Sequence, residues 1–352
     1  MYKLEKTITP ISSFYLFDKS LFICKENTLY QDGEKILEDV EPQLIEYKKP
    51  FIQFNNLSGE QLLFDVFNKR VIKPIYPIAI KSLFENRAIC SYDMYFDNDE
   101  GSWVWNIGLF DIEKQELIRK FKTGPIGVGY MYNEICFGYS KNNVLISFDL
   151  NTGKILWQID IGKKCKYNFA NQNYSGQTSQ FLDIFDAKLY CWCHGNQLLE
   201  IDIETGAINW HFYPFNDFLD SNQVQLFQPH LDSEKRKIYF LESCYFIEID
   251  LNNRNSILHQ TFRQGTGIDS SQWFRLSSVY QNGLIYFIGN QNDYPMNPLR
   301  QVGVFDTVSQ KIIWSQVLFE KGKGLNLVNI KANQDQIYVQ DNKSTLYSFE
   351  RE

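Results

Sequence analysis

Histidine is scarce in this chain, four residues in 352, and other catalytic signatures are missing with it. No Gly-rich phosphate loop, His-Glu-x-x-His pair or nucleophile elbow occurs, which removes the common nucleotide-dependent, zinc-protease and serine-hydrolase plans. His194, His211, His230 and His259 have no catalytic partner near them in sequence, so each reads as a hydrogen-bonded structural residue. No run approaches the length of a membrane-spanning helix. The segment Met1–Pro10 lacks the apolar core of a signal peptide and a lipidation box, so the expected setting is the cytoplasm unless a leader has been cleaved away. The seven cysteines are an odd number and no two are adjacent, a poor basis for a disulfide framework. Cys24, Cys90, Cys136 and Cys191 fall at similar places in predicted strands and read as small buried hydrophobes. In Cys191-Trp-Cys-His194 a strand puts both thiols on one face and the imidazole on the other. Two thiolates cannot close a tetrahedral site and no second Cys pair exists, so no metal is expected. Basic charge is also short: 35 Lys and Arg against 42 Asp and Glu give −7, which disfavours nucleic acid and suits a basic protein partner. Low-complexity and linker-like stretches are absent, so residues 1–352 read as one domain.

What is present is a recurring phrase. Ser147-Phe-Asp-Leu-Asn-Thr-Gly-Lys-Ile-Leu-Trp157 returns as Glu200-Ile-Asp-Ile-Glu-Thr-Gly-Ala-Ile-Asn-Trp210 and as Gly303-Val-Phe-Asp-Thr-Val-Ser-Gln-Lys-Ile-Ile-Trp314. Weaker copies begin at Leu63, Gly108 and Glu248. Each reads as a strand, a tight polar turn and a second strand, and a hairpin repeated at this interval signals a propeller, solenoid or array. Asp149 and Asp202 can hold the turn backbone, Gly153 and Gly206 can supply positive φ, and the Trp residues offer area for packing between sheets. The 28 Phe and 21 Tyr suit strands built on aromatic faces.

These residues resemble the repeat of the quinoprotein-dehydrogenase-like (PQQ-like) β-propeller family: an apolar pair, Asp, two variable residues, Thr-Gly-Lys, then Trp. The units at 147–157 and 200–210 fit closely; the others keep the Asp and lose the Thr-Gly or the Trp. No copy ends in the Trp-Asp pair of WD repeats. The resemblance implies an all-β, closed propeller, and it raises a quinone cofactor. Enzymes of that family are longer and exported, hold the quinone on an axial Trp beside calcium, and in several cases use adjacent cysteines. This chain has no such pair, so neither the cofactor nor any catalytic residue is carried over. The family also includes an outer-membrane assembly lipoprotein, a role that needs a lipidated N-terminus.

Successive central hairpins can be read at 20–31, 50–66, 87–112, 134–150, 188–203, 236–251, 283–307 and 335–349. That gives eight four-stranded blades, with seven as the alternative because the first two units are closely spaced and weakly marked. The last unit stops at Glu352 without an outer strand, so Tyr2–Thr9 is expected to supply it.

Five long connections, 91–104, 161–179, 213–223, 262–273 and 290–300, are expected on one face, because B–C and D–A connections leave a blade at the same end. They carry the aromatic, Met and Arg residues typical of interface centres. Trp103, Tyr174, Phe215, Trp273, Tyr294 and Arg300 are the candidate contacts; the alternative is that such rings merely cover the blade ends. Asp97, Asp99 and Glu100 read as a patch that meets a basic partner rather than a calcium loop, since EF-hand spacing is absent. The expectation is a non-enzymatic, cofactor-free protein-binding propeller, in its sharper form an immunity-type inhibitor of a toxic enzyme. The alternatives are a quinone- or sugar-active propeller enzyme and a docking module of a larger assembly.

Overall fold

The computed structural model describes residues 1–42, 46–48, 50–74, 78–84, 86–97, 102–121, 127–139, 143–213, 226, 228–242, 245–261, 278–289, 299–320 and 323–352. Its strands form eight four-stranded antiparallel sheets. Taken as blades 1 to 7, seven are simple meanders over residues 13–37, 46–72, 78–121, 127–160, 178–212, 230–261 and 278–317. Blade 8 joins three C-terminal strands, Leu327–Ala332, Gln336–Asp341 and Leu346–Arg351, to the N-terminal strand Tyr2–Ile8. Strands within a blade are lettered A to D. The blades gather into two compact units: Asp39–Gln225 holds blades 2 to 5, and Met1–Glu38 with Leu226–Glu352 holds blades 1, 6, 7 and 8.

The C–D turns of blades 2 to 7 are set by the repeat Asp. Asp149 Oδ1 accepts from the backbone N of Thr152 (2.5 Å) and its hydroxyl (2.8 Å). Asp202 does the same with Thr205, at 2.8 Å for both contacts. Asp65, Asp111, Asp250 and Asp306 bind their own turns through Asn68, Lys114, Asn253 and Val308. A short carboxylate holding backbone N–H groups two or three residues ahead is what fixes this turn. Four residues after every one of these Asp residues the chain enters the left-handed region: Lys69, Gln115, Gly153, Gly206, Arg254 and Gln310 have φ between 50° and 73°. The copies that lost glycine thus keep the turn against the preference of their own side chains. Replacing Lys69, Gln115, Arg254 or Gln310 by Gly is expected to stabilise the fold by up to about 1 kcal/mol each, offset in part by glycine's greater freedom when unfolded. Urea unfolding of the four variants checks this; uniform destabilisation would show that the turns are held by something else.

The D strands carry a bulge just beyond the turn, with register shifts at Ser147/Phe148, Glu200/Ile201 and Val304/Phe305. The extra residue places Trp157, Trp210 and Trp314 opposite Ser147, Glu200 and Val304. Trp157 is buried and its Nε1 donates to the carbonyl of Ile203 in blade 5 at 2.8 Å. A Cβ on Gly206 would lie 2.7 Å from the Trp157 ring, so this glycine serves both the turn and the approach of the indole. Arg119 takes the corresponding place one blade earlier, its Cδ 3.6 Å from the position of a Cβ on Gly153. Trp210 and Trp314 differ from the sequence expectation in being only half-buried. Trp210 stacks on Phe212 (4.7 Å), while Trp314 lies against Tyr2 (5.3 Å) and Phe349 (5.5 Å).

The core is divided into layers between consecutive blades. Phe137, Leu145 and Trp157 of blade 4 meet Leu189, Leu199 and Ile201 of blade 5. Tyr239 and Phe246 of blade 6 meet Ile285, Phe287 and Phe305 of blade 7. Polar clips also bind consecutive blades: Arg87 of blade 3 to Glu134 of blade 4 through two 2.8 Å contacts, Tyr130 of blade 4 to Asp183 of blade 5 (2.8 Å) and Tyr280 of blade 7 to Asp232 of blade 6 (2.6 Å).

Candidate binding surface

In unit Asp39–Gln225, two segments project from the end of the blades that carries the B–C and D–A connections. The first is the B–C hairpin of blade 3, whose strands are Arg87–Asp97 and Ser102–Asp111. Among the described residues strand A pairs as far as Tyr92 and strand D as far as Ile107, and B and C continue through Tyr95↔Val104 and Asp97↔Ser102. Residues 91–104 are therefore mostly a two-stranded ribbon rather than a loop. Tyr92, Tyr95, Phe96, Trp103 and Val104 are residues that favour such a ladder. Tyr95 and Phe96 are each 46 % exposed, and neighbours on a strand point to opposite faces, so both faces of the ribbon meet solvent.

The second segment is a cap between blades 4 and 5. Asp160 accepts from Lys163 N (2.9 Å) and starts a one-turn helix, Ile161–Lys164, the only helix among the described residues. Strands Tyr167–Phe169 and Gln172–Tyr174 then form a separate hairpin. Ala170 and Asn171 both have positive φ, as a type I′ turn requires. Tyr167 stacks on Tyr174 at 5.2 Å and meets His194 edge-on at 6.3 Å. A Cβ on Gly195 would stand 2.4 Å from Tyr167, so the cap lies directly on the B–C turn of blade 5. Beside it, Lys166, Tyr167, Asn168 and Asn173 line an open hollow of about 420 Å³.

Among the sequence candidates, Tyr174 is on this cap, exposed on one side and donating to Gln172 Oε1 at 2.9 Å. Asp97 and Trp103 lie on the ribbon, and their side chains are outside the described residues. Asp99, Glu100, Phe215, Trp273 and Tyr294 also lie outside the described residues. Arg300, in the other unit, is half-buried; its Nη1 donates to the carbonyl of Phe319 at 3.3 Å and its backbone N to Gly289 O at 3.2 Å. Its observed contacts tie the end of the 290–300 connection to blade 7. Tyr95, Phe96 and Tyr213 are exposed rings that the candidate set did not contain, although the long-connection ranges did.

The titratable groups found here are mostly satisfied. Glu200 is buried but accepts from Tyr190 (2.8 Å) and pairs with Lys188 (3.3 Å). Burial pushes His230 down to about 4, so it is neutral, with Ser278 Oγ at 2.8 Å from Nε2. His211 Nε2 lies 2.8 Å from Gln197 Oε1. Among the described residues, no group of three His, Cys, Asp or Glu side chains could hold a metal ion. A pairing the sequence did not reveal is Cys165 with Cys193. Cys191 and Cys193 are neighbours on one strand, whereas Cys165 comes from the cap and reaches Cys193 only through the fold.

No curated protein matches the chain in sequence. Solved structures do match in shape. BamB from Moraxella catarrhalis is 12 % identical, with 100 % of each chain covered and a TM-score of 0.53. The C-terminal WD40 domain of Sif2 is 11 % identical, covering 100 % of this chain and 99 % of that one, with a TM-score of 0.58. The computationally designed Ika8 protein is 8 % identical over 97 % and 96 % of the two chains, with a TM-score of 0.57. WD40 arrays are propellers, and identities this low speak for the fold alone. The eight-bladed all-β architecture is that of a β-propeller, as the repeat implied. Residues 94–352 match the family described as outer membrane protein assembly factor BamB, and with most of its length matched the chain belongs to that family of PQQ-like propellers.

Proposed function

We propose that the protein is a non-enzymatic propeller that binds another protein, with the blade 3 ribbon and the blade 5 cap in its contact surface. The observation that carries this reading is the exposure of Tyr95, Phe96, Tyr174 and Tyr213 on segments longer than the blades need. Large rings with few rotatable bonds bury much area at small entropic cost, which is why they anchor interfaces. The family description, an assembly factor for an outer membrane protein, supports protein as the class of ligand. In its sharper form the partner is a basic toxic enzyme that this protein neutralises; the net charge of −7 suits such a partner. The free thiols at six cysteines support a cytoplasmic setting, where thiols stay reduced.

Affinity purification from native cells followed by hydrogen exchange on the complex tests the surface. Protection is expected at 91–104 and 161–179, with the turns at 151–154 and 204–207 unchanged. Tyr95→Ser, Phe96→Ser and Tyr174→Ser are expected to include at least one loss of about 2 kcal/mol, near thirtyfold in Kd. Protection confined to the C–D turns overturns the surface. Turnover of a quinone or sugar substrate by the isolated protein replaces the reading with an enzymatic one.

A further inference from the structure

We propose that Cys165 and Cys193 form a thiol–disulfide switch, in which a low-molecular-weight disulfide oxidises the pair and ties the 161–177 cap to strand B of blade 5. Both residues are fully buried in one apolar cluster, on opposite sides of the seam between cap and blade. Cys165 follows the one-turn helix, its N donating to Ile161 O at 2.9 Å. Its carbonyl accepts from Gln197 Nε2 at 3.0 Å, and the same amide meets His211 through its oxygen. On the far side, a Cβ on Gly176 would stand 2.6 Å from Cys165 Cβ, so the absence of a side chain there lets the cap close over the thiol. Cys193 ends strand Lys188–Cys193, with its Sγ 3.8 Å from Thr178 Oγ1. The Cys165 thiol is in hydrogen-bonding reach of the Cys193 thiol and of the His211 ring.

The two thiols are unequal. The contact with Cys193, then the contact with and charge of His211, lower Cys165 against the opposing effect of burial. Cys193 is pushed up by the same contact and by burial. Burial alone raises Cys24 to about 11 and Cys90 to about 12, which leaves them inert by comparison. Cys165, on the cap that opens, is the attacking sulfur, and Cys193, held at the end of strand B, the resolving one.

The chemistry is two exchanges. The Cys165 thiolate attacks one sulfur of the disulfide RSSR, forming a mixed disulfide and releasing RS⁻, which takes up a proton. Cys193 then gives its proton to solvent base and attacks Cys165 Sγ, forming the protein disulfide and releasing a second RS⁻, which is protonated in turn. The protein loses two electrons and two protons, and RSSR becomes two RSH. Access comes from local opening of the cap, which the hydrogen bonds His194 N to Gln177 O and Gln197 to Cys165 O hold on blade 5. Bonded, the cap with Tyr167 and Tyr174 loses that freedom. This last consequence for binding rests on the proposed function; the thiol chemistry does not.

The test is to incubate the folded full chain with oxidised glutathione and map its peptides without reduction. The expected product lacks two hydrogens and carries a Cys165–Cys193 cross-link that dithiothreitol removes. Cys193→Ser should stop at a stable glutathione adduct on Cys165, and His211→Gln should slow the reaction by about three- to tenfold at neutral pH. Circular dichroism confirms that both variants keep their strands. Thiols that stay reduced in the wild-type chain, or a cross-link through Cys191 instead, overturn the proposal.

Discussion

A chain starting at Ile11 is expected to lose most of its stability. The deletion removes the outer strand of blade 8, which pairs with Leu346–Arg351 from Tyr2↔Arg351 to Ile8↔Leu346. Each backbone hydrogen bond lost is worth a net ~0.5–1.5 kcal/mol, and several go together. Tyr2 goes as well. It is buried, reaches the Tyr286 hydroxyl at 3.3 Å and the Gln334 carbonyl at 3.1 Å, and fills space beside Trp314. Emptying such a site costs a further ~3–5 kcal/mol. The sum rivals the ~5–15 kcal/mol that holds a typical domain together. The expected result is a chain that aggregates or unfolds at low urea, and Tyr2→Ala should show a reduced version of the same defect. An unchanged melting temperature for the truncated chain would falsify the role given to this strand.

Trp157→Ala is expected to cost about 3–5 kcal/mol, the largest loss from a single D-strand residue. The substitution empties the layer between blades 4 and 5 and leaves the Ile203 carbonyl without its indole donor. Trp157→Phe separates the two effects, because it refills much of the volume but cannot donate. Gly206→Ala reaches the same contact from the other side, since the new methyl would meet the indole and also strain a φ of 73°. Trp210→Ala should cost clearly less, as its ring is half-exposed. Urea unfolding of the three Trp variants and Gly206→Ala decides the matter. Equal losses at Trp157 and Trp210 would mean that the repeat position, rather than the local packing, sets the energy.

The repeat was legible because its parts are local. An Asp that binds its own turn and a residue four positions later in the left-handed region are encoded within one hairpin. All eight central hairpins fall within about two residues of the sequence ranges, and Tyr2–Ile8 takes the place expected of it. Burial of the Trp residues was less legible, since it depends on the next blade. Trp157 faces a glycine there, and no pattern within its own hairpin says so. The surface was legible in part. Connection length marked 91–104 and 161–179, but it could not distinguish a loop from a ribbon that continues the ladder. The Cys165–Cys193 pair was hidden because it joins a connection to a strand, and periodicity speaks only of residues on one element.

The joining of Tyr2–Ile8 to Leu346–Arg351 in blade 8 also has a consequence for biosynthesis. Tyr2–Ile8 is made well before its partner Leu346–Arg351, so it must wait while the residues between them are translated. At ~5–20 residues per second, that wait is about 20–70 s. A bare apolar strand would invite pairing with other nascent chains during that time. Tyr2–Ile8 instead carries Lys3, Glu5 and Lys6, all exposed in the finished sheet, with Tyr2 as its one fully buried ring. Its charges keep it soluble through translation, and its single aromatic anchor docks once the partner strand has emerged.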